Sequence, residues 1–409
     1  MLREKSHADA RPALTQKVWR DSGPRLNFPP MLYFDHNATA PLLPAACAAW
    51  LEASAQFIGN PSSPHRLGAR ADAALQTARE RLAALMDCDP FDLVWTSGAT
   101  ESNNTVFFHA ARTLPADAEV WVSSVEHPCV LAAAERWFPG RHRLIPVDKN
   151  GVVELGWLRE QLPQKPPGLV AVMAANNETG VLQPWREALS LCREWEVPFF
   201  CDAVQWLGKL SPRELGDCDF LSGCAHKSGG PRGVGFLKWP SGVRAEPLIV
   251  GGPQEDGRRA GTENVPGVLA MLAALEAREE SLTGGEHLER FLWRGTFEQQ
   301  LIETLPGAEI VGAGAERLWN TVSALMPEAD CQQRWVVKLD KLNCAVSTGS
   351  ACASGQEKPS HVLAAMGYPP SAAGRVLRFS AGWETTPADW QSLLQKLQTV
   401  HAQISSAAS

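Results

Sequence analysis

The most constraining feature of this sequence is an alternation of short apolar runs with segments of helical periodicity between residues 31 and 266. The apolar runs are rich in β-branched and aromatic residues, and they occupy residues 93–96, 119–123, 169–174, 198–201, 220–221 and 234–237. Apolar positions at helical spacing occur around them, at residues 66–86, 130–137, 155–162 and 185–195. Strands that alternate with helices form a mostly parallel sheet covered on both faces, so we predict an α/β fold for this part.

The chain outside this region has a different organisation. Residues 267–409 predict a smaller α+β domain, with a long helix at residues 267–305, strands at residues 318–326, 335–339 and 376–380, a loop at residues 347–359 and a terminal helix from about Pro387. Residues 1–30 lack hydrophobic periodicity, and we interpret them as a flexible extension. An organelle-targeting leader is disfavoured because this stretch contains Glu4, Asp9 and Asp21. A large domain is therefore expected at residues 31–266.

Composition narrows the class of partner. The 38 basic and 45 acidic residues give a net charge of −7, which provides no global attraction for nucleic acid or anionic lipid. No apolar run approaches the roughly 20 residues that span a bilayer, so no membrane is expected. The ten cysteines form no C-x-x-C pair, and no cysteine or histidine pair has zinc-ligand spacing. We expect a cytoplasmic protein with free thiols, no metal site and a small-molecule substrate.

Chemically useful side chains follow the predicted strands, where parallel sheets bind ligands. Ala99 and Thr100 lie in a small-residue turn that opens a helix, and a helix N-terminus suits a phosphate. Asp202 follows the strand at residues 198–201, and Lys227 lies in a glycine-rich loop. Singly, these features are more often an ordinary turn, a helix cap and a surface lysine. In combination, a phosphate site, an acid and an amine are what pyridoxal phosphate requires.

The motifs around these residues resemble those of cysteine desulfurases of the class V aminotransferase group, in the branch with a long Ser/Gly-rich cysteine loop. They run in family order from residue 31 to near the C-terminus: YFDHNAT at 33–39, GNPSS at 59–63, TSGATESNN at 96–104, EHP at 126–128, NNETG at 176–180, DAVQ at 202–205, HK at 226–227, RAGTEN at 259–264, SACASG at 350–355 and RFS at 378–380. The resemblance implies the fold-type I architecture of pyridoxal-phosphate-dependent transferases, with a large and a small domain, and a homodimer.

The resemblance also implies a role for each matching position. Lys227 would hold pyridoxal phosphate covalently, His127 would stack on its ring and Asp202 would face the pyridine nitrogen. Thr100 and His226 would hold the phosphate, joined by Thr262 from a second subunit, and Gln205 would bond the phenolic hydroxyl of the ring. Ala99 and Cys224 are the other positions implied to contact the cofactor. Asn177 and Arg378 would bind the substrate carboxylate, which an arginine matches with its planar pair of donors. An unpaired Arg378 in its apolar strand would be costly, and a bound anion would relieve that cost.

Cys352 is the most discriminating of the candidate residues. It lies among Ser347, Thr348, Gly349 and further small residues that cannot form a core, which suits an accessible reactive thiol. By the resemblance, Cys352 takes sulfur from L-cysteine as a persulfide, with Lys227 carrying the Cα proton. The sulfur then passes to an acceptor protein or an iron–sulfur scaffold, and L-alanine is released.

Two positions depart from the family pattern, and several readings stay open. Cys224 stands where relatives usually have a phosphate-binding serine, and Ser228 stands where they usually have a bulkier apolar residue. The alternatives are a selenocysteine lyase or another class V enzyme of this fold, and a non-catalytic docking subunit for a sulfur carrier. The docking subunit is less favoured because both Lys227 and Cys352 are present. The destination of the sulfur, iron–sulfur cluster assembly or tRNA thiolation, is left open by the sequence.

Overall fold

A seven-stranded sheet forms the centre of the fold. The structure is a computed structural model, and it describes residues 31–328, 335–348 and 360–405. Its strands are β1 (Leu32–Tyr33), β2 (Leu93–Thr96), β3 (Val120–Ser123), β4 (His142–Ile145), β5 (Leu169–Ala171), β6 (Phe199–Asp202), β7 (Phe220–Cys224), β8 (Gly235–Lys238), β9 (Glu309–Ile310), β10 (Thr321–Leu325), β11 (Cys344–Ala345) and β12 (Val376–Ser380). The central sheet has the order β2-β8-β7-β6-β5-β3-β4. In it, β8 runs antiparallel to both neighbours and the other pairs are parallel.

Helices connect most of these strands. They are α1 (Pro44–Gln56), α2 (Arg66–Met86), α3 (Ala99–Thr113), α4 (Pro128–Trp137), α5 (Leu155–Gln161), α6 (Trp185–Glu194), α7 (Val265–Thr283), α8 (Glu286–Thr304), α9 (Trp335–Lys341), α10 (His361–Ala365), α11 (Pro370–Ala373) and α12 (Pro387–Ser405). Short 3-10 helices lie at Pro90–Asp92, Leu215–Asp217 and Gln254–Gly257. The predicted helix at residues 66–86 and the predicted strands at residues 93–96 and 376–380 have the bounds that the sequence indicated.

Both faces of the central sheet are covered by helices. Successive strand residues point to opposite faces, so Phe199 and Phe200 of β6 enter different cores. Phe199 packs in a core that includes Leu82 of α2 and Met271 of α7, whereas Phe200 packs in one that includes Phe107 of α3. The predicted α/β fold with a mostly parallel sheet between helices is confirmed.

The C-terminal part adds a three-stranded antiparallel sheet with the order β12-β10-β9. Strand β1 pairs in parallel with β11, with Leu32 opposite Cys344. Phe34, just after β1, is fully buried in a core with Phe297 and Phe379. The beginning of the described chain therefore packs against its C-terminal part, and the division at residue 266 stays a prediction.

The long helix predicted at residues 267–305 is wrong, because two helices occupy this stretch. Helix α7 ends at Thr283, and α8 begins at Glu286. Gly285 between them has φ +76°, a left-handed conformation that glycine adopts without steric cost and that cannot continue a right-handed helix.

The strand predicted at residues 335–339 is also wrong, because these residues begin helix α9. A strand would place Trp335, Val337 and Leu339 on one face, whereas a helix places residues four apart on one face. Trp335 and Leu339 are buried, but Val337 is 44% exposed. The apolar run is therefore one side of a short helix, and its β-branched residues misled the prediction.

Several general properties can be stated for the described residues. None of their helices has the length and apolar character needed to cross a membrane. Across residues 31–328, 335–348 and 360–405, no group of three or more His, Cys, Asp or Glu side chains is arranged to hold a metal ion. The eight cysteines in these ranges are free thiols.

Candidate active site

A cavity of about 620 Å³ opens beyond the carboxyl ends of β2, β6 and β7. This is the edge of a parallel sheet at which ligands are expected. Ten of the residues selected from the sequence line it: Ala99, Thr100, His127, Asn177, Asp202, Gln205, Cys224, His226, Lys227 and Arg378. Thr262 is exposed and is not among the lining residues, and Cys352 lies outside the described residues.

The N-terminus of α3 forms one wall of the cavity. Gly98 precedes the helix with φ +150° and ψ 174°, a backbone region used almost solely by glycine. The first-turn N–H groups of a helix have no intrahelical acceptor, and the helix dipole is positive at this end, so the wall attracts an anion. Glu101 accepts a hydrogen bond from the Ser97 N–H (2.8 Å) and forms an ion pair with Arg259 (2.8 Å). These two contacts fix the turn.

Lys227 presents its amine to the cavity from the loop after β7. Its Nζ donates hydrogen bonds to the carbonyl oxygens of Asn37 (2.5 Å) and Ala38 (2.7 Å). These carbonyls belong to the segment that follows β1, so the N-terminal part of the described chain positions the amine. Sequence reasoning missed this contribution because it is made by backbone atoms, which leave no residue signature.

A chain of hydrogen bonds joins three elements at the cavity floor. Asn103 of α3 donates from Nδ2 to Oδ2 of Asp202 (2.8 Å), at the end of β6, and to Sγ of Cys129 (3.2 Å). The Cys129 N–H in turn donates to Nδ1 of His127 (3.2 Å), the residue that caps α4. Asn103 and Cys129 had no predicted role, although Asn103 lies four residues after Ala99 and so on the same helix face.

Burial controls the charge of these groups. It lowers the pKa of His127 and raises the pKa of Cys129 to about 12. It also raises the pKa of the Cys224 thiol to about 11 and lowers the pKa of His226 to about 4, an effect to which the positive charge of Lys227 adds. At neutral pH the two imidazoles are uncharged and the two thiols remain protonated.

Arg378 of β12 also lines the cavity, and it is only 2% exposed. Its Nη1 donates to the carbonyl oxygen of Asn177 (2.8 Å), and its Nη2 forms an ion pair with Asp35 (2.7 Å). The sequence indicated no partner for the Arg378 charge within the chain, and the structure shows that Asp35 is one. Asp35 lies in the YFDHNAT motif, and its distance of 343 residues along the chain from Arg378 concealed the pairing.

The aminotransferase class-V family profile matches residues 32–393. The chain therefore belongs to the class-V aminotransferase family, whose members typically depend on pyridoxal phosphate. Within it, the chain is a cysteine desulfurase homologue. It is 38% identical over 379 residues to the cysteine desulfurase of Gluconacetobacter diazotrophicus (91% of this chain, 94% of the relative) and 40% identical over 355 residues to that of Klebsiella pneumoniae (85% and 87%).

Solved structures agree with this assignment. A protein described as NifS-like is 31% identical to this chain and superposes with a TM-score of 0.83, covering 91% of this chain and 100% of its own. The NifS-like protein from Rickettsia africae is 28% identical, with a TM-score of 0.81 and coverages of 91% and 100%. The fold predicted from the resemblance is therefore that of known relatives.

Proposed function

We propose that this chain is a pyridoxal-phosphate-dependent cysteine desulfurase, which converts L-cysteine to L-alanine and transfers the sulfur through Cys352 to an acceptor. The observation that carries the proposal is the convergence of the Lys227 amine, the Asp202 carboxylate and the α3 N-terminus on one cavity of about 620 Å³. The curated relatives that match over about nine-tenths of the chain are named cysteine desulfurases, which supports the same conclusion.

The groups around the cavity fit pyridoxal phosphate. Lys227 supplies the primary amine, Asp202 a buried carboxylate for the pyridine nitrogen, and the turn at Ala99 and Thr100 an anion site. The uncharged ring of His127 can stack on the cofactor. When bound, pyridoxal phosphate supplies an electron sink for the electron pair that remains when the substrate Cα loses its proton.

The chain's own residues perform the remaining tasks. Asp202, whose Oδ2 accepts a hydrogen bond from Asn103, would keep a proton on the pyridine nitrogen of the bound cofactor. Lys227 Nζ would take the Cα proton, since a free amine is a suitable base. Arg378 and Asn177 bind and orient the substrate carboxylate, and the Arg378 guanidinium is pre-organised for this by Asp35.

Sulfur transfer requires a reactive thiolate, and the thiols in the cavity wall do not provide one. Cys129 and Cys224 stay protonated because burial raises their pKa values to about 12 and about 11. In the proposal, the Cys352 thiolate attacks the substrate sulfur. A new S–S bond forms on Cys352 as the Cβ–S bond breaks, and the electron pair of that bond stays with carbon. Protonation at Cβ and return of the Cα proton from Lys227 Nζ then give L-alanine.

The proposal extends to partners and location. An acceptor thiol of a sulfur carrier or of an iron–sulfur scaffold would collect the sulfur by exchange. Thr262 of a second subunit would complete the phosphate site of a homodimer. Thr262 is exposed and does not line its own chain's cavity, which leaves its side chain available to a second subunit. We place the enzyme in the cytoplasm.

The experiment compares Cys352→Ala with Cys47→Ala, a partly buried thiol on α1 outside the cavity. Alanine and sulfide formation are measured with L-cysteine and a reducing thiol, alongside the visible absorption of bound pyridoxal phosphate. We expect Cys352→Ala to lose turnover but keep the absorption, and Cys47→Ala to retain both. Full turnover by Cys352→Ala would refute the sulfur-acceptor role. Parallel assays with L-selenocysteine and cysteine sulfinate separate a desulfurase from a selenocysteine lyase.

A further inference from the structure

A second lysine lies buried behind the cavity. Lys209 is 4% exposed, and its Nζ donates hydrogen bonds to the side-chain Oε1 (2.5 Å) and the backbone oxygen (3.2 Å) of Gln205. The backbone oxygen of Lys209 accepts from the Trp319 indole (2.8 Å). Within the part of the chain that the structure describes, no carboxylate forms an ion pair with this amine. Burying an amine costs free energy unless it is hydrogen-bonded, and both described hydrogen bonds of the Lys209 amine go to Gln205.

The contacts of Gln205 fix the orientation of its carboxamide. Nε2 donates to the carbonyl oxygen of Asn37 (3.0 Å), which can only accept, while Oε1 faces the Lys209 donor. A flipped amide would set Oε1 against the Asn37 oxygen, so the Asn37 contact excludes the flip, and the hydrogen bond from Lys209 Nζ to Oε1 matches the same orientation. The second Nε2 hydrogen is left for the cavity, which Gln205 lines.

The same carbonyl oxygen links this arrangement to Lys227. Asn37 O accepts from both Gln205 Nε2 and Lys227 Nζ, so a continuous series of hydrogen bonds runs from Lys209 through Gln205 and Asn37 to Lys227. Lys209 does not line the cavity itself, but it contacts Gln205, which does.

Other charged and titratable groups also face these two amines. Burial lowers the pKa of Lys209 well below its usual range, and the Lys227 charge adds to this. Cys224 and Arg378 act on Lys209 electrostatically, and the space beside it is also lined by His36 and Arg278. Lys227 is faced in addition by His127, His226 and Cys224. None of these groups is hydrogen-bonded to the Gln205 side chain, whose described partners are Lys209 and Asn37.

We infer that Lys209 is a positioning residue that fixes Gln205 as a hydrogen-bond donor to the phenolic oxygen of pyridoxal phosphate. The inference rests on the proposed function. A donor to that oxygen stabilises its deprotonated form, and this lowers the proton affinity of the adjoining linkage between the cofactor and Lys227. Lys209 thereby sets the pH at which the bound cofactor changes its visible absorption.

The test compares four variants: Lys209→Met, Gln205→Leu, the double variant, and Lys238→Met. Lys238 is the control, since it is a buried lysine of β8 that donates to the Cys218 carbonyl, forms an ion pair with Asp92 (3.5 Å) and does not line the cavity. The pH midpoint of the visible absorption of protein-bound pyridoxal phosphate is measured, with its dissociation constant. We expect Lys209→Met and Gln205→Leu each to raise the midpoint by about one pH unit, a tenfold change in proton affinity. The double variant should shift no further than Gln205→Leu, and Lys238→Met should not shift.

The outcomes separate the two claims. An unshifted midpoint in a Lys209→Met protein that binds pyridoxal phosphate overturns the inference alone. A further shift on adding Lys209→Met to Gln205→Leu also overturns it, because Lys209 then acts by its charge and not through Gln205. If Lys209→Met does not fold, Lys209→Gln gives the same test with an uncharged side chain one bond too short for the contact, and the same shift is expected. Wild-type protein without any visible band overturns the proposed function itself.

Discussion

The Asn103 amide donates a hydrogen bond to Oδ2 of Asp202 across 2.8 Å, and so connects α3 to the end of β6. Both side chains are buried, and the other Asp202 oxygen accepts from the Val204 N–H (3.0 Å). The carboxylate therefore has a fixed orientation at the cavity floor. Its ability to hold a proton on a bound pyridine ring depends on a residue that does not itself line the cavity.

Asn103→Leu removes this hydrogen bond while keeping a side chain of similar size. We expect the dissociation constant of pyridoxal phosphate to rise about 10- to 100-fold, since a hydrogen bond to a charged group contributes roughly 1.5–3 kcal/mol. Titration of the cofactor-free protein measures it. Asn104→Leu is the control, because Asn104 donates only to the Thr100 backbone among its described contacts and should leave the affinity unchanged. Equal affinities of the two variants would contradict the role of Asn103.

Gly98→Ala tests the turn at the start of α3. No atom lies within 4 Å of an added Cβ, so any cost comes from the backbone, which has φ +150°. We expect destabilisation of about 1–3 kcal/mol, seen as a lower urea midpoint of the cofactor-free protein. Gly156→Ala, at another open position but inside helix α5, should be neutral or slightly stabilising. The prediction fails if both substitutions behave alike.

The sequence was sufficient for those parts of the fold that depend on local pattern. Strand β2 was predicted from its short continuous apolar run, and helices α2 and α12 were predicted from apolar residues at helical spacing. The break at Gly285 and the helix at Trp335 were missed because each depends on which side chains tertiary packing buries. Strand β4 was also missed, since its Arg143 and Leu144 are exposed and the run has no clear alternation.

The candidate site shows the same limit. Residues such as Lys227, Asp202 and Arg378 were found because their side-chain chemistry is distinctive in motif context. Their supports were not found: Asp35 and the Asn37 carbonyl come from a distant part of the chain, and Lys209 resembles any other lysine until its burial is known. A sequence pattern identifies the reactive groups more easily than it identifies the groups that orient them.

Glu126 should make stability depend on pH. It is buried beside Asp202, and one of its oxygens accepts from the Met173 N–H (2.5 Å). Burial raises its pKa well above the usual value, and the negative charge of Asp202 raises it further. The folded protein therefore binds this proton more tightly than the unfolded chain, so stability is lost as pH rises from the unfolded value near 4.3 towards the raised folded value.

Glu126→Gln mimics the protonated acid and should remove this dependence. We expect the thermal midpoint of wild type to fall relative to that of Glu126→Gln over the pH range above the unfolded value near 4.3. Glu52→Gln, at an exposed position of α1, should follow wild type. A constant difference between wild type and Glu126→Gln across this range would show that Glu126 does not titrate in this way.

Arg378→Lys tests the carboxylate site. A lysine keeps the charge but loses the planar pair of donors, so we expect KM for L-cysteine to rise about 10- to 100-fold with a smaller change in kcat. The visible absorption of bound cofactor should persist. Arg375→Lys, whose arginine donates to the Met326 carbonyl away from the cavity, should keep the wild-type KM. A selective loss of kcat in Arg378→Lys would assign the residue to the chemical step instead.

The central claim is that Lys227 carries pyridoxal phosphate. Borohydride reduction of the reconstituted protein fixes the cofactor to the amine that holds it, and peptide mass spectrometry then locates the adduct. We predict a coloured protein with the adduct on Lys227 and none on the neighbouring buried Lys209. A protein that stays colourless after reconstitution, or an adduct found only on another lysine, would contradict the account.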